Sequence, residues 1–221
     1  MSGRLPTTPE FTATNFRIVN PAQTSTTFGG KVRRVGLGST YYTFTVKYPP
    51  MVRADAQSII AFLSTQYGQL DSFEVMLPIE SYPRANYTGS TVTVTGGTDT
   101  FVIDGVTYTG YAAGKRQVNV TGATPNAALL KAGDFFKFNW TAPSGNVTHS
   151  KVYMAITDET ASGSGTNTLN FSGSLMLGVP NGTALTLNAV PFTVILNSDT
   201  QAYEVGGGRI YSLEFDVREL I

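Results

Sequence analysis

The sequence contains no cysteine, a single histidine and a single tryptophan. Without cysteine the chain can form no disulfide, thiolate nucleophile or zinc–thiolate site. No apolar run approaches the roughly 18 residues that indicate a membrane-spanning helix. Met1–Pro6 are followed by no apolar segment typical of a signal peptide. We therefore expect synthesis in the cytosol, no signal-directed export and no membrane partner.

Charged residues are also few, at 14% of the chain against roughly 25% in an ordinary soluble domain. Fifteen basic residues balance fifteen acidic ones, so the formal net charge is zero. A neutral chain has no general attraction to nucleic acid or to an anionic membrane, and we expect no sequence-specific nucleic-acid partner. Because few surface charges favour association, the composition indicates self-assembly.

The residues that are abundant are those of β-structure. Glycine accounts for 23 residues, and aromatic residues make up 11% of the 221 positions. Threonine and aromatic side chains fit pleated sheets, whereas glycine and asparagine form turns. The length allows one large domain or two small ones. The composition thus predicts a mainly β protein.

The first residues have a composition of their own. Residues 1–23 are rich in proline and threonine and surround one short apolar run, Phe16–Val19. Segments of this kind are often extended and pair with a neighbouring molecule. We therefore predict an N-terminal arm that contacts another subunit instead of packing on its own domain.

A strand and a helix stand out in the segment that follows. Polar and apolar side chains alternate along Tyr41–Tyr48, which predicts a half-buried strand. After Pro49 and Pro50 the period changes to that of a helix. The apolar residues at helical spacing are Ala56, Ile59, Ile60, Leu63 and Tyr67. This spacing predicts a helix over residues 53–67, ended by Gly68.

Beyond residue 80 the sequence consists of short Thr/Val/Gly-rich runs separated by turn residues. Regular short strands predict a small sandwich or barrel. The final segment, Arg209–Ile221, follows the turn-forming Gly206–Gly208 and returns to a long alternation that suits the first sheet. We therefore assign residues 1–80 and 201–221 to a β-sandwich domain with one α-helix, and residues 81–200 to an inserted β-sandwich or β-barrel domain.

Residues suited to catalysis are sparse. His149 lies in a turn-like stretch, and nothing around it indicates the oriented partners of a Ser-His-Asp triad, so we predict an exposed loop histidine. Glu214 and Asp216 are interpreted as the solvated face of a strand. We predict no catalytic residue, no cofactor and no metal, and hence a protein that is not an enzyme. A calcium site built from scattered loop carboxylates stays open as an alternative.

Two groups of side chains are candidates for contacts with other molecules. The residues predicted at a subunit interface are Phe16, Ile18, Lys31, Arg33, Arg34 and Tyr41. Adjacent residues of a strand point to opposite faces, so the pair Phe135-Phe136 places one ring outside its sheet. Phe135 and Trp140 are therefore predicted to contact a saccharide or a protein partner.

The residues around the predicted helix resemble the tail proteins of long-tailed phages. The similarity is carried by Tyr48–Ala56, which includes the letters R-A-D-A, and by Ile60–Leu63, Tyr67–Gly68, Ser72–Phe73 and Leu77–Pro78. The minor tail protein M family of lambda-type phages and the N-terminal domain of distal tail proteins share this order of strand, glycine-stopped helix and short proline-ended strand. The resemblance covers about residues 28–80.

The long insertion makes the distal tail proteins the better comparison. The resemblance implies a hexameric or trimeric ring at the distal end of the phage tail, assembled in the host cytoplasm and located in the virion. The partners that it implies are the tail tube protein, the tail hub, fibre proteins, the tape measure and a host saccharide. It implies no catalytic residue. Two alternatives stay open: another tube, decoration or head-to-tail structural protein, and a carbohydrate-binding module or glycosidase.

Overall fold

The computed structural model describes residues 3–36, 40–200, 202–206 and 210–221. The turn predicted at Gly206–Gly208 therefore lies partly outside the described residues. Within these ranges the chain is mainly β with one α-helix, which confirms the predicted fold class. The described strands form five sheets, of which the two largest have seven and six strands.

The first sheet is antiparallel and has seven strands. Five of them lie side by side in the order β1 (Thr12–Val19), β4 (Tyr41–Lys47), β20 (Ile210–Glu219), β18 (Phe192–Leu196) and β6 (Phe73–Val75). Two short strands, β5 (Met51–Val52) and β19 (Tyr203–Val205), pair with the first half of β20. The pairing of β20 with β4 confirms that the final segment returns to the first sheet.

The alternation in the sequence produces the buried face of this sheet. The inward side chains are Tyr42, Phe44, Val46 and Tyr48 near β4, and Leu213, Phe215 and Val217 on β20. Lys47 and Glu214 face outward and form an exposed ion pair at 3.1 Å. Burying each large apolar side chain contributes roughly 1.5–3 kcal/mol, so this face supplies much of the driving force for folding.

Helix α1 (Arg53–Ser64) covers one end of the buried face, with Ala56, Ile59 and Leu63 turned inward. It ends three residues before the predicted limit. The hydroxyl groups of Ser64 and Thr65 donate to the carbonyls of Ile60 and Phe62, which satisfies acceptors of the last turn. Tyr67 then adopts a positive φ of 50° and is exposed. Among the described residues, no helix is long and apolar enough to cross a membrane.

A two-stranded hairpin connects the first two long strands. Strands β2 (Ala22–Thr26) and β3 (Val32–Gly36) follow β1 and pair with each other, and every residue of both strands is exposed. We call residues 22–36 the basic arm. It leaves the first sheet at the end where Val19 pairs with Tyr41.

The second sheet is a closed barrel. Its six strands are, in spatial order, β13 (Val152–Met154), β12 (Phe135–Asn139), β17 (Ala184–Thr186), β7 (Thr93–Thr95), β10 (Gln117–Thr121) and β15 (Asn167–Asn170). An antiparallel bridge between Ala155 and Phe171 joins the two edges, and the Ser172 amide donates to the Met154 carbonyl at 2.8 Å. Of the two predicted alternatives for the insertion, the structure therefore has the barrel.

Shorter strands of the insertion form two further small sheets. Strands β8 (Asp99–Ile103), β9 (Val106–Tyr111) and β16 (Val179–Pro180) form a three-stranded sheet, and β11 (Ala128–Leu130) pairs with β14 (Glu159–Thr160). Asp104 and Gly105 both have positive φ, which suits the tight turn between β8 and β9.

The predicted boundary of the insertion is wrong at its C-terminal side. Strand β18, which the sequence placed in the inserted domain, pairs with β6 and β20 of the first sheet. The chain therefore returns to the first sheet at Phe192 rather than at about residue 201. The cause is that β18 belongs to the centre of a sheet, where a continuous apolar run replaces the alternation expected for a half-buried strand.

The predicted N-terminal arm is also wrong. Leu5 and Phe11 are buried in the core of the first sheet, and the Leu5 amide donates to the Glu74 carbonyl at 2.8 Å. Strand β1 then pairs with β4 of the same chain. Residues 3–19 thus pack on their own domain, because Leu5 and Phe11 belong to its buried core and Phe16 packs against that core.

Candidate assembly surfaces

The basic arm presents an apolar side chain at its tip. The Gly30 amide donates to the Thr27 carbonyl at 2.8 Å, and the Thr27 amide donates to the Lys31 carbonyl at 2.9 Å. This tight turn leaves Phe28 with its whole side chain in solvent. A fully exposed phenylalanine costs free energy in water, so the tip is suited to a contact with another molecule.

The arm carries charge of one sign. Lys31, Arg33 and Arg34 are exposed, and the sequence has no acidic residue between positions 22 and 36. Within the described part of the chain, none of these three cations forms an ion pair. The structure thus brings together three of the six predicted interface residues on one projecting element.

The other three predicted interface residues lie on the first sheet. Phe16 points inward, where its ring stacks on Tyr42 and Phe44 with centroid separations of 5.5 and 5.8 Å. Phe16 is therefore half-buried against the core of its own chain, which leaves only part of its ring available to another subunit, and its role at an interface stays a prediction. Ile18 is exposed, and Tyr41 is half-buried in a shallow polar cavity on the outer face.

Strand β1 itself is an open edge. It pairs with β4 on one side, and no described strand pairs with its other side. A bulge between Thr14 and Arg17, with Asn15 at φ 54°, interrupts its register. Bulged edges resist uncontrolled strand pairing while leaving backbone groups available to a specific partner.

A proline-walled groove lies at the opposite end of the first sheet. Two adjacent cavities of 560 and 630 Å³ share Glu10, Phe11 and Pro78 in their walls. We call this surface the proline groove and define it by Glu10, Phe11, Pro49, Pro50, Pro78, Ile79, Glu80 and Tyr82. Ile79 and Tyr82 leave 77% and 53% of their surface in solvent. The groove therefore combines exposed apolar surface with two carboxylates.

Another cavity, of 420 Å³, lies between the end of α1 and strand β19. Ile60, Leu63 and Tyr203 supply apolar walls, and Asp199 lies at one side. The Asp199 carboxylate accepts a hydrogen bond from the Gln69 amide at 3.1 Å, which fixes the loop after the helix. The helix ends three residues before its predicted limit, and the residues at this end form one wall of the cavity.

The aromatic residues predicted for ligand contact are separated by the structure. Phe135 is 5% exposed and lies in the core of the first sheet, so its prediction as a ligand platform is wrong. Trp140 is half-buried and packs edge-on against Tyr108 at 5.3 Å, on the outside of the barrel. Phe101 lies across from Tyr108 at 6.2 Å and completes a cluster of three rings.

Strand β12 connects the two cores. Its neighbouring residues Phe135 and Phe136 point in opposite directions, as expected, but Phe135 enters the first core and Phe136 enters the barrel core. Val152 and Tyr153 of β13 divide in the same way. One face of the β12–β13 pair thus packs in the core of the first sheet and the other face packs in the barrel core. Both members of the aromatic pair are buried for this reason.

A buried ion pair lies between the two cores and contacts both. The Lys151 ammonium lies 3.0 Å from the Glu219 carboxylate, which also accepts the Val152 amide at 2.7 Å and the Tyr42 amide at 3.3 Å. The ammonium lies over the rings of Tyr42 and Tyr153. Burial raises the pKa of Glu219 and lowers the pKa of Lys151, and the attraction between the two charges opposes both shifts.

His149 lies beside this pair and is buried, so the prediction of an exposed loop histidine is wrong. Its ring packs against Phe138 at 5.4 Å and Tyr153 at 5.6 Å. Burial, with the nearby Lys137 and Lys151, lowers the pKa of His149 to about 4. The imidazole is therefore neutral at pH 7 and serves as an aromatic core residue.

No protein-family model and no curated protein matches this sequence. The exposed surfaces therefore carry the functional assignment. They belong to a mainly β protein with two joined cores, an open sheet edge and a projecting basic arm.

Proposed function

We propose that this protein is a structural subunit of a phage tail, forming a ring at the distal end of the tail tube. The observation that carries the proposal is the basic arm, whose residues from Ala22 to Gly36 are exposed and whose two strands pair, among the described residues, only with each other. An ordered hairpin with an exposed aromatic tip is costly to a free monomer and useful in an assembly. The resemblance of residues 28–80 to distal tail proteins supports the same assignment.

A ring uses the other exposed features of the first sheet as well. Head-to-tail contacts between identical subunits close into a ring when the rotation fits. Such contacts cover the open edge of β1 and exclude further strand pairing. In this proposal the ring has six or three copies and joins the tail tube to the hub, the fibres and the tape measure, while the barrel faces outward.

The experiment that tests the proposal is the mass of the purified protein in solution, measured by light scattering after size exclusion. We expect a species at six or three times 23.6 kDa, with a ring shape in negative-stain images. A monomer at every concentration tested would overturn the proposal. Open filaments or stacked tubes would instead favour a tube protein, which is present in many copies per virion.

A second candidate function is carbohydrate binding by the barrel. The observation that favours it is the cluster of Phe101, Tyr108 and Trp140, because sugar rings pack on aromatic faces. Trp140 is the one tryptophan of the chain, so its fluorescence reports this cluster directly. A saturable change of that emission with host-type polysaccharides, lost in Tyr108→Ala, would support this function.

A further inference from the structure

The basic arm and the proline groove lie at opposite ends of the first sheet. The arm leaves the sheet where Val19 pairs with Tyr41, whereas the groove surrounds the end where Thr12 pairs with Lys47. At about 3.3 Å per residue, the eight-residue strand β1 separates these ends by about 23 Å. The exposure of every arm strand residue shows that the arm does not fold back onto its own sheet.

The two surfaces are complementary in charge. The arm is purely basic, whereas Glu10 and Glu80 line the groove. Neither carboxylate forms an ion pair among the described residues. Lys47, which also lines the groove, is neutralised by Glu214 at 3.1 Å. The groove is therefore left with unpaired negative charge, and the arm with unpaired positive charge.

The apolar parts are complementary as well. The arm ends in the fully exposed Phe28, and the groove offers Ile79 and Tyr82 at its surface and Phe11 at its base. The two cavities run side by side, so the groove is long enough to take the end of a hairpin rather than one side chain. Apolar contact at the tip with charged contacts behind it is the usual arrangement of an interface core and its rim.

We propose that the basic arm of one copy docks in the proline groove of the next copy. In this contact Phe28 packs against Ile79 and Tyr82, and the arm's cations lie beside Glu10 and Glu80. Because the two surfaces differ, the contact is head-to-tail. Every open assembly of copies therefore has a free arm at one end and a free groove at the other until a ring closes. The inference rests on the proposed function in that it requires copies of this chain to assemble.

The first test reverses charge on each side of the contact. Arg33→Glu with Arg34→Glu, and Glu10→Arg with Glu80→Arg, should each weaken association at least about tenfold, because like charges then face each other. All four changes in one chain should restore assembly. In an equimolar mixture of the two double variants each arm can meet a groove of opposite charge, so a six-copy ring should close with the variants alternating, whereas a three-copy ring cannot alternate and should not close.

The second test uses the absence of cysteine from the natural sequence. Phe28→Cys and Ile79→Cys are made in separate chains, one of which carries a tag large enough to separate the heterodimer from both homodimers on a gel, and the chains are mixed and oxidised. We expect a disulfide-linked heterodimer on a non-reducing gel as the main product. The matched control replaces Ile79→Cys with Val102→Cys, an exposed position in the β8–β9 hairpin of the barrel, which should give little heterodimer.

The outcomes separate this inference from the proposed function. Rings that survive the charge reversals, or equal cross-linking to positions 79 and 102, would overturn the arm-in-groove contact while leaving the ring proposal standing. A wild-type monomer that shows no selective cross-link would overturn both. Selective cross-linking together with rescue by the fourfold variant establishes the contact, whatever the position of the ring in the tail.

Discussion

The ammonium group of Lys151 lies 3.0 Å from the carboxylate of Glu219, with 3% and 0% of the two side chains exposed. Lys151 precedes a strand of the barrel, and Glu219 ends the last strand of the first sheet. The carboxylate also accepts amides from both sheets, through Tyr42 and Val152. This buried ion pair therefore links the two cores out of contact with solvent.

Removing one partner of this pair should destabilise the whole protein. We expect Lys151→Met to lower the free energy of unfolding by about 3–5 kcal/mol, because Glu219 is left buried without a counter-charge. The double variant Lys151→Met with Glu219→Gln should recover much of that loss. Lys47→Met, which breaks the exposed pair with Glu214, is the matched control and should cost less than about 1 kcal/mol. Urea unfolding measures all three; equal losses at positions 151 and 47 would contradict the buried role.

The buried histidine should make stability depend on pH. The pKa of His149 is lowered from 6.5 to about 4, so between these values the unfolded chain binds a proton that the native protein does not. Stability contributed by the neutral imidazole is therefore full above pH 6.5 and falls as the pH drops to about 4, by up to about 3 kcal/mol. The difference between wild type and His149→Gln in urea unfolding at several pH values isolates this effect from the carboxylates.

An NMR titration checks the same point directly. Because the chain has one histidine, its imidazole resonances need no assignment. We expect the native-state signals to stay in the neutral form down to the pH at which the protein unfolds. A midpoint near 6.5 would show that the ring is accessible to water and would contradict its burial between Phe138 and Tyr153.

Much of the fold follows from local pattern. The predicted strand Tyr41–Tyr48 corresponds to β4, and the helix begins at the predicted Arg53. Period and turn residues are local properties, so they identify elements well. They do not identify which sheet a strand joins: β18 was assigned to the insertion although it pairs with β6 and β20.

The candidate surfaces were harder to predict for the same reason. The basic residues Lys31, Arg33 and Arg34 were found from sequence because their charge stands out in a neutral chain. The groove was missed, because Glu10 and Glu80 come from segments that are distant along the chain and meet only in the folded protein. His149 was misplaced because a turn-like sequence gives no sign of the aromatic rings that surround it.

The two cores should unfold together. Phe135→Ala should cost about 3–5 kcal/mol, because this barrel residue fills the core of the first sheet. Trp140 fluorescence reports the barrel and far-UV circular dichroism reports both sheets, and we expect their urea transitions to coincide. Val102→Ala, at an exposed barrel position, is the control and should stay within about 0.5 kcal/mol of wild type. A separate tryptophan transition would show that the barrel is an independent domain.

Truncation at the N-terminus should impair folding of the monomer. Deleting residues 3–11 removes Leu5 and Phe11 from the core and the hydrogen bond that Tyr48 donates to the Pro6 carbonyl. We expect a loss of more than about 3 kcal/mol, in line with the truncation of large core side chains. Circular dichroism melting measures the loss. A truncated chain that melts like wild type but assembles poorly would restore the original assignment of this segment as a subunit arm.

Shortening the basic arm should have the opposite result, loss of assembly without loss of the fold. Ala22 and Gly36 pair directly across the hairpin, so replacing residues 23–35 by Asn-Gly joins them through a favoured two-residue turn. Because the removed residues are exposed, the free energy of unfolding should change by no more than about 1 kcal/mol. Light scattering should then find a monomer where the full chain forms a ring. A shortened chain that still forms rings would show that the open edge of β1, and not the arm, holds the subunits together.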